Sequence, residues 1–392
     1  MASATTFSSR NHVAPGALGR LSRNPSAPWR HIDLVMLGCV AAVCVLGCLM
    51  VFSSTRGSEP DSFDTAFVLK QILFVGIGAA LMLVVAMVDY RRYRELAPAA
   101  YGVVLLLLLM VVTGLGSERK GTQAWFQIGP FQLQPSELAK IVVIVLLASV
   151  IAQFNSELDV RRLATVLAIA GVPMALIMLQ PDLGTTLVFV AVCMGMLLIG
   201  GAQGRHIAAL TLVGIVGVGF VLNSGMLEEY QKCRFTSFLE TESKECVERD
   251  ASYNQDQAEV AIGSGGLTGA GLGQGTQTRL GIVPEQHTDF IFTAVGEELG
   301  FVGSATLITL LGIIAWRIWR TAQLARDPLG TLICVGVLSM FVFQVFENIG
   351  ITMGIMPVTG IPLPFMSYGG SSTLTAFVAI GLVMNVHMRR FS

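Results

Sequence analysis

Long apolar stretches alternate with short polar segments along almost the whole chain. Ten of these stretches approach the ~20 residues that a helix needs to cross a bilayer. They lie at about residues 32–53, 67–88, 96–114, 136–154, 162–179, 184–201, 206–223, 289–316, 329–355 and 371–388. The pattern predicts an all-α polytopic membrane protein with about ten transmembrane helices.

Composition and charge agree with a membrane protein. Of the 392 residues, 53% are apolar and 13% are charged, and the mean hydropathy is +0.68, above the usual range of soluble domains. The formal net charge is −1, so no large positive field indicates nucleic acid as a partner. Membrane lipid is therefore the expected surrounding of most of the chain.

Basic residues are distributed unevenly between alternate polar segments. Six segments carry 15 Lys and Arg residues together, namely 1–31, 89–95, 155–162, 202–206, 317–328 and 387–392. Four short segments between them carry three, namely 54–66, 115–135, 180–183 and 356–370. The positive-inside rule therefore places both termini in the cytoplasm. Residues 1–31 are expected to be a disordered cytoplasmic tail before a transmembrane domain at 32–390.

The longest polar segment, about residues 224–288, is predicted to form one large extracytoplasmic loop. Its Gly-rich run at 263–277 lacks the Lys-Ser/Thr ending of a phosphate-binding P-loop. We interpret these glycines as a tight, re-entrant backbone near the membrane surface, with phosphate binding by backbone amides as the alternative. Cys233 and Cys246 are predicted to form a disulfide, which an oxidising compartment permits.

Ionisable side chains concentrate at residues 281–298, where this loop enters the eighth apolar stretch. Glu285, His287 and Asp289 lie close to that boundary. Because desolvation of a charge is costly, ionisable groups at membrane depth are functional candidates, and solvated residues that cap a helix are the alternative. Carboxylates also suit Mg²⁺ or Mn²⁺, but Glu-x-His-x-Asp is not a specific metal motif, so a divalent cation is an open hypothesis.

Two further polar clusters adjoin the fourth and sixth apolar stretches. In QPSELAK (134–140), Glu137 and Lys140 lie three residues apart on one helix face, close enough to interact, and Ser136 can cap the helix. A capped helix with Lys140 extended to the membrane surface is the alternative. In QPDLGTT, Asp182 lies in a tight outer turn, where it can instead serve as the cap of the next helix.

A fourth cluster, MPVTGIPLPFMSYGGSS (356–372), carries no charge and contains three prolines. We interpret it as a rigid outer loop that positions other groups, with direct ligand contact as a secondary role. Glu297 and Glu298 in the eighth stretch, and Glu347 and Asn348 in the ninth, are expected to face the bundle interior or a wet cavity, because contact with lipid would be costly.

The motifs QPSELAK, QPDLGTT, AIGSGG, PEQHTDFIF, GEELGFVG and PLPFMSYGGSS follow one another in this order along the chain. Together they resemble the SEDS family (shape, elongation, division and sporulation), the RodA/FtsW polytopic peptidoglycan glycosyltransferases. The resemblance covers nearly all of residues 32–390. PVTGIPLPF and the GTQ at 275–277 are more similar to the elongation-type RodA branch than to the division-type FtsW branch.

The resemblance implies polymerisation of lipid II at the outer face of the bacterial cytoplasmic membrane, for cell elongation and shape. The GlcNAc 4-hydroxyl of the acceptor attacks the anomeric carbon of the donor, and undecaprenyl diphosphate leaves. Asp289 matches the proposed catalytic aspartate of the family, Lys140 is the candidate to stabilise the diphosphate, and Glu137 is its orienting partner. An Asp at a helix N-terminus is a weaker base, an effect that burial and Glu285 oppose.

Several other polar side chains are expected to line a substrate groove. These substrate-binding candidates are Glu285, His287, Trp125, Gln134, Ser136, Asp182, Gln231, Arg234, Gln257, Ser264, Gln277, Ser367 and Tyr368. Family members often have Arg before the Trp of the third outer loop, whereas Ala124 precedes Trp125 here. Arg119 or Lys120 is the candidate to replace that Arg.

Three other functions fit the same topology. A lipid II flippase would need charges through the full membrane depth and paired repeats with broken helices, whereas the polar clusters here concentrate on the outer side. A non-catalytic scaffold would leave the outer carboxylates unexplained, and an FtsW-type division polymerase is a further alternative. The resemblance also implies a class B penicillin-binding protein, a transpeptidase, as partner, and it implies no certain cofactor.

Overall fold

The computed structural model describes residues 31–55, 65–119, 122–129, 131–154, 158–223 and 251–391. Twelve helices lie in these ranges. They are α1 (Leu34–Ser54), α2 (Thr65–Met87), α3 (Tyr90–Met110, continued by a π-helical turn at Val111–Leu115), α4 (Pro135–Ala152), α5 (Val160–Met178), α6 (Leu183–Ile199), α7 (Gly204–Asn223), α8 (Ala251–Ser264), α9 (Thr276–Leu280), α10 (Ile291–Gln323), α11 (Pro328–Thr352) and α12 (Gly370–Met388).

The predicted all-α polytopic membrane fold is confirmed. Among the described residues, eight helices are long and apolar enough to cross a membrane, and α6 and α7 are shorter apolar helices. These ten helices follow the ten predicted stretches to within a few residues, except that α3 begins six residues earlier, at Tyr90, and α10 extends seven residues further, to Gln323. Helices α8 and α9 lie inside the predicted outer loop, so that part of the loop is helical.

Helices α4, α11 and α12 form the centre of the bundle, because most of their side chains are buried against other helices. Small residues permit close packing there. Such residues are common between membrane helices, because the hydrophobic effect does not drive helices together in lipid. At Gly381 of α12, a Cβ atom would lie 2.9 Å from the carbonyl oxygen of Met82 on α2. The two backbones can therefore approach only because Gly381 has no side chain.

A three-stranded antiparallel sheet precedes α4, and the sequence analysis did not predict it. Its strands are β1 (Ser117–Arg119), β2 (Thr122–Ile128) and β3 (Phe131–Leu133), with β2 in the middle. Gly129 has a φ of +59°, which suits the tight turn between β2 and β3. The signal was a short run of aromatic and β-branched residues ahead of a Gly-Pro pair.

Helix α10 is broken at Gly300, where φ is +65° and ψ is −160°. The Gly-rich run bonds to both sides of this break. The amides of Ala270 and Gly271 donate to the carbonyls of Glu297 and Glu298 at 2.9 and 3.0 Å. The amides of Phe301 and Val302 donate to the carbonyls of Gly266 and Leu267 at 2.9 and 3.1 Å. The chain therefore satisfies a broken helix at membrane depth with its own backbone.

This arrangement supports the interpretation of residues 263–277 as a re-entrant backbone. The amide of Gly269 also donates within the run, to the carbonyl of Gly265 at 2.9 Å. Three successive amides, those of Gly269, Ala270 and Gly271, are thus bonded inside the protein. They are not available to cradle a phosphate.

The uncharged loop between α11 and α12 enters the bundle instead of lying on its surface. The ring of Phe365 is buried, with its centroid 5.2 Å from that of Phe377 and 6.4 Å from that of Phe341. At Gly47 of α1, a Cβ atom would lie 2.7 Å from the carbonyl oxygen of Met366. Irregular backbone at such depth is tolerated where protein, not lipid, surrounds it.

Several predictions concern residues outside the described ranges. These are the disordered tail predicted at residues 1–31, of which residues 1–30 lie outside, the disulfide between Cys233 and Cys246, the candidate Lys120, and the substrate-binding candidates Gln231 and Arg234. They stay predictions.

Candidate functional site

The four polar clusters of the sequence analysis converge at one end of the bundle. The side chain of Gln134, at the start of α4, donates to Asp182 Oδ2 at 3.2 Å and so joins the first two clusters. Ser371 Oγ accepts from the amide of Gln134 at 3.1 Å and donates to the carbonyl of Gln132 at 2.9 Å. This serine ties the first cluster to the uncharged re-entrant loop and α12.

The re-entrant loop also contacts the other two clusters. At Gly184 of α6, a Cβ atom would lie 2.7 Å from the carbonyl oxygen of Thr359. At Gly360, with a φ of +76°, a Cβ atom would lie 3.5 Å from Asp289 Oδ2. The amide of Tyr368 donates to the carbonyl of His287 at 2.9 Å. One loop thus connects segments that are far apart in the sequence.

Glu137 and Lys140 form a buried ion pair in the first turns of α4. Lys140 Nζ lies 2.8 Å from Glu137 Oε1, and the two side chains are 2% and 4% exposed. This burial contradicts the alternative in which Lys140 extends to the membrane surface. Glu137 Oε2 is also buried, and among the described residues it has no hydrogen-bond partner. The pair therefore keeps hydrogen-bonding capacity that the described part of the protein does not use.

Ser136 does not cap α4, contrary to the prediction. The cap position is Gln134, without a side-chain bond, and Pro135 follows it in the first turn. Proline suits that position because the first amides of a helix have no partner within the helix. Ser136 lies inside the helix, where its Oγ is buried and finds no hydrogen-bond partner in the described ranges.

Asp182 caps α6, as the alternative interpretation expected. Its carboxylate accepts from the amide of Thr185 at 2.9 Å and from the Thr185 hydroxyl at 2.8 Å. Burial raises the pKa of Asp182, the two bonds from Thr185 lower it, and Lys140 lowers it further while Glu137 raises it. Asp182 therefore shares the electrostatic environment of the Glu137–Lys140 pair.

Asp289 lies in a tight turn just before α10. Its amide donates to the carbonyl of Glu285 at 3.1 Å, and Glu285 adopts a left-handed φ of +52°. Thr288 Oγ1 contacts Glu285 Oε2 at 3.1 Å. The cap position of α10 is Phe290, which makes no side-chain bond to the helix. Asp289 is therefore not the helix cap that the solvated alternative would require.

Glu347 and Asn348 of α11 adjoin Asp289, and the sequence analysis did not place them in the site. Asn348 Nδ2 donates to the carbonyls of Asp289 and Ile361, both at 2.9 Å. Glu347 Oε1 accepts from the hydroxyl of Thr359. Thr359 is followed by Gly360, which faces Asp289 Oδ2, so one segment of the loop contacts both Glu347 and Asp289. The sequence analysis expected Glu347 and Asn348 to be buried, but burial alone does not identify Asp289 as their neighbour.

His287 and Tyr368 belong to an aromatic cluster with Phe67 of α2. The centroid of Phe67 lies 5.3 Å from that of His287 and 5.2 Å from that of Tyr368. The centroids of His287 and Tyr368 are 5.8 Å apart. Aromatic pairs at such distances favour defined ring orientations. Through this cluster, the turn that contains Asp289 packs against the start of α2.

The other candidates have bonds that serve local structure. Ser264 donates to the carbonyl of Ala261 at the end of α8, and the amide of Gln277 donates to Glu297. Ser367 Oγ accepts from the amide of Leu363 within the re-entrant loop. Trp125 lies on β2, and its carbonyl accepts from Ser117. Gln257 is half-buried on α8, and Ala124, which stands where the family often has Arg, is buried.

The structure gives the divalent-cation hypothesis no complete ligand set. Within the ranges described, no group of three or more His, Cys, Asp or Glu side chains lies close enough to hold a metal ion.

A family model described as "Cell cycle protein", covering FtsW, RodA and SpoVE, matches residues 33–391. Stage V sporulation protein E of Bacillus subtilis (strain 168) is 37% identical over 90% of this chain and 96% of its own length. The probable peptidoglycan glycosyltransferase FtsW of Geobacter metallireducens is 33% identical over 91% and 95%. Peptidoglycan glycosyltransferase MrdB of Escherichia coli (strain K12) is 33% identical over 92% and 94%. These similarities do not separate the RodA branch from the others.

Two solved structures share the fold. The rod shape determining protein RodA of Thermus thermophilus is 30% identical, with a TM-score of 0.69 over 93% of this chain and 99% of that one. A chain of a peptidoglycan synthase complex, described as coordinating polymerization and crosslinking, is 29% identical, with a TM-score of 0.76 over 92% and 99%. The helical arrangement around the four clusters is therefore one that solved proteins adopt.

Proposed function

We propose a catalytic arrangement for this chain, which belongs to the FtsW/RodA/SpoVE family of cell cycle proteins. The protein is a peptidoglycan glycosyltransferase and a multi-pass protein of the bacterial cell membrane. Its substrate is lipid II, which carries a disaccharide-pentapeptide on undecaprenyl diphosphate. It polymerises this lipid into glycan strands at the outer membrane face.

Asp289 is the general base of the proposed reaction. It takes the proton of the acceptor's GlcNAc 4-hydroxyl while the oxygen forms a bond to the donor's anomeric carbon. The bond between that carbon and the diphosphate oxygen breaks, and undecaprenyl diphosphate leaves with the electron pair. Such proton transfer contributes roughly 10²–10⁴-fold to a rate. The bonds to Glu285 and Asn348 hold the Asp289 backbone on both sides.

Lys140 stabilises the leaving diphosphate, and Glu137 orients it. A cation that is fixed in a water-excluded site acts more strongly than one in solvent and needs no reorganisation during the reaction. The 2.8 Å bond to Glu137 fixes the ammonium group, and the burial of both side chains excludes water. Gln134 and Asp182 extend this arrangement towards α6.

The observation that carries the proposal is the convergence of three distant polar segments on the re-entrant loop, which is itself the fourth polar cluster. The contacts of Thr359, Gly360, Tyr368 and Ser371 join all four. A flippase would need charged groups distributed along the whole path of the headgroup. A site built at one end suits chemistry on a headgroup that is already exposed there.

Purified protein in lipid nanodiscs with fluorescent lipid II tests the proposed activity. We expect glycan strands that a muramidase degrades, at a rate proportional to enzyme. A flippase would move labelled lipid II between leaflets of proteoliposomes without making strands. Lipid movement without polymer would therefore contradict the proposal.

The proposed topology places both termini in the cytoplasm and the Asp289 turn outside. The charge asymmetry of 15 against three basic residues supports it. A reporter that is active only outside the cytoplasm should be inactive after Ser392 and active within residues 224–250. Activity after Ser392 would overturn this topology.

We propose elongation as the cellular role and a class B penicillin-binding protein as the partner. PVTGIPLPF and the GTQ at 275–277 support the role by resemblance to the RodA branch. The similar chain from a peptidoglycan synthase complex supports a crosslinking partner. Depletion should round rod-shaped cells, whereas filamentation would indicate a division role. Copurification of a transpeptidase with the full chain tests the partner.

A further inference from the structure

Glu347 is a buried carboxyl that the mechanism above leaves without a role. It lies in the penultimate turn of α11 and is 0% exposed. Removing a carboxylate from water costs several kcal/mol unless a cation and hydrogen bonds compensate. The ion pairs of the described residues do not include Glu347. Its position therefore requires a neutral form or a functional reason.

The contacts of Glu347 lead directly to Asp289. Glu347 Oε1 accepts from the hydroxyl of Thr359, and the next residue, Gly360, faces Asp289 Oδ2. A Cβ atom at Gly360 would lie 3.5 Å from Asp289 Oδ2, so the loop that bonds to Glu347 also packs against the Asp289 carboxyl group. Glu347 Oε2 is buried and has no hydrogen-bond partner in the described part of the chain. Glu347 Oε1 is thus anchored to the loop segment that packs against Asp289, and Glu347 Oε2 keeps hydrogen-bonding capacity that the described residues do not use.

The backbone around this pair is fixed as well. Asn348, the next residue of α11, holds the carbonyls of Asp289 and Ile361 at 2.9 Å each. The turn before α10, the re-entrant loop and α11 therefore meet at two successive residues. The spacing between Glu347 and Asp289 is set by the fold and not by mobile side chains alone.

We propose that Glu347 is a positioning residue that keeps its proton at neutral pH and orients Asp289 for proton abstraction. The proposal rests on the function of Asp289 proposed above. A second anion in this place would have no cation of its own and would repel Asp289, so the neutral carboxyl is favoured. A protonated carboxyl is a hydrogen-bond donor, and a buried one can serve a catalytic site in that form.

Other ionisable groups lie in or next to the elements that pack against α11. They are Glu137 and Lys140 of α4, Asp182 before α6, Asp256 and Glu259 of α8, and Glu297 and Glu298 of α10. Lys140 is the one basic residue of this set, and it pairs with Glu137 at 2.8 Å. The surroundings are therefore acidic overall, which further favours a neutral Glu347.

Replacement of Glu347 by Leu and by Gln separates positioning from packing. Leu suits a fully buried site, so a residue that only packs should tolerate Glu347→Leu with unchanged turnover and equal or higher thermal stability. We expect instead that Glu347→Leu keeps or raises the Tm while kcat falls about 10–100-fold with little change in KM. Glu347→Gln retains an acceptor for Thr359 and a donor, so its kcat at pH 7 should stay within about threefold.

The pH profile gives a second readout. Ionisation of Glu347 at alkaline pH would remove the donor, so wild-type kcat should show a basic limb that Glu347→Gln lacks. Gln344→Leu is the matched control, because Gln344 lies three residues earlier on α11 and is 5% exposed. This control should change neither kcat nor the basic limb.

Asp289→Asn, measured in parallel, distinguishes the two proposals. If Asp289→Asn polymerises lipid II normally, the proposed base is wrong and the role of Glu347 falls with it. If Asp289→Asn is inactive but folded Glu347→Leu turns over like wild type, only the role of Glu347 is overturned. If Glu347→Leu does not fold, an unchanged basic limb in Glu347→Gln is sufficient to overturn that role.

Discussion

Two polar networks at opposite ends of the bundle differ in how completely the described part of the protein satisfies their hydrogen-bonding groups. At the end that holds the termini, Asp33 caps α1 and accepts from Arg317 of α10 at 2.6 Å. Asp327 caps α11 at 2.8 Å and accepts from the Tyr90 hydroxyl at 2.7 Å. We call these residues, with Asn385 and Arg389, the inner network.

Asn385 and Arg389 close the inner network around the end of α2. Arg389 donates to the carbonyls of Ala86 and Met87 at 3.0 and 2.6 Å, and Asn385 donates to that of Val85 at 2.6 Å. These carbonyls are among the last four of a helix, which have no partner within it. The inner network therefore uses its polar groups to fix helix ends.

At the other end, the outer cluster consists of Glu137, Lys140, Asp182, Asp289 and Glu347. Buried polar atoms there are left without a hydrogen-bond partner among the described residues, namely Ser136 Oγ, Glu137 Oε2, Glu347 Oε2 and Asn348 Oδ1. Such atoms are rare in folded proteins and require an explanation. The comparison teaches that the inner network uses its polar groups for the fold, whereas the outer cluster keeps buried hydrogen-bonding capacity that the proposed substrate site would use.

The strongest test of the comparison is Asp289→Asn. This change keeps the size of the side chain and removes the proton acceptor, so kcat should fall about 10²–10⁴-fold. The backbone bonds to Glu285 and Asn348 do not involve the side chain, so the Tm should stay close to that of wild type. Lipid II polymerisation and thermal unfolding in detergent measure both quantities. Near wild-type turnover would make Glu285 the next carboxylate to test.

Lys140→Met should have the second largest effect on turnover. Removal of a fixed cation from a water-excluded site is expected to lower kcat about 10²–10³-fold. Because Glu137 is left buried and unpaired, stability should fall as well, by about 3–5 kcal/mol. The double variant Glu137→Gln, Lys140→Met removes both charges and should recover stability without recovering turnover. If the double variant recovers both stability and turnover, Lys140 serves only the fold.

Arg317→Met tests the inner network and should give the opposite result. Asp33 is 1% exposed and would lose its cation, so stability should fall by about 3–5 kcal/mol. Turnover per folded molecule should stay within about twofold, because the inner network lies away from the headgroup chemistry. Asp33→Asn in the same chain should restore part of the Tm, since Asn can still cap α1. A large loss of kcat in folded Arg317→Met would remove the distinction between the ends.

The sequence predicted the membrane helices well, because apolar length and charge bias are local signals. It also predicted the Glu137–Lys140 contact, since three residues along a helix bring side chains together. It did not predict the break at Gly300, because one glycine inside an apolar stretch does not reveal which backbone will bond to it. The bonds from Ala270 and Gly271 that explain the break come from a separate segment.

The composition of the site was predicted less completely. Asp289 and Asp182 were identified because their motifs stand at helix boundaries. Glu347 was expected only to be buried, since its neighbour Asp289 lies 58 positions earlier in the numbering and is joined through Thr359. The role of Ser136 was predicted wrongly because the proline after Gln134 starts α4 two residues earlier than a cap at Ser136 would require.

Asp182→Asn should have the smallest effect, because Asp182 belongs to the outer cluster but serves as a helix cap. Asn caps helices about as well as Asp, so the bond to the Thr185 amide should persist and kcat should fall by less than about tenfold.

Burial raises the pKa of Asp182, so the unfolded chain loses this proton at lower pH than the folded protein does. Wild-type stability therefore falls as pH rises above about 4, the ordinary Asp value, until the folded group ionises. The Asn variant lacks this loss, so its Tm relative to wild type should increase from about pH 4 upwards. A Tm difference that is constant with pH would show that Asp182 is not destabilised as an anion. A loss of kcat in Asp182→Asn as large as that in Asp289→Asn would show that Asp182 takes part in the chemistry itself.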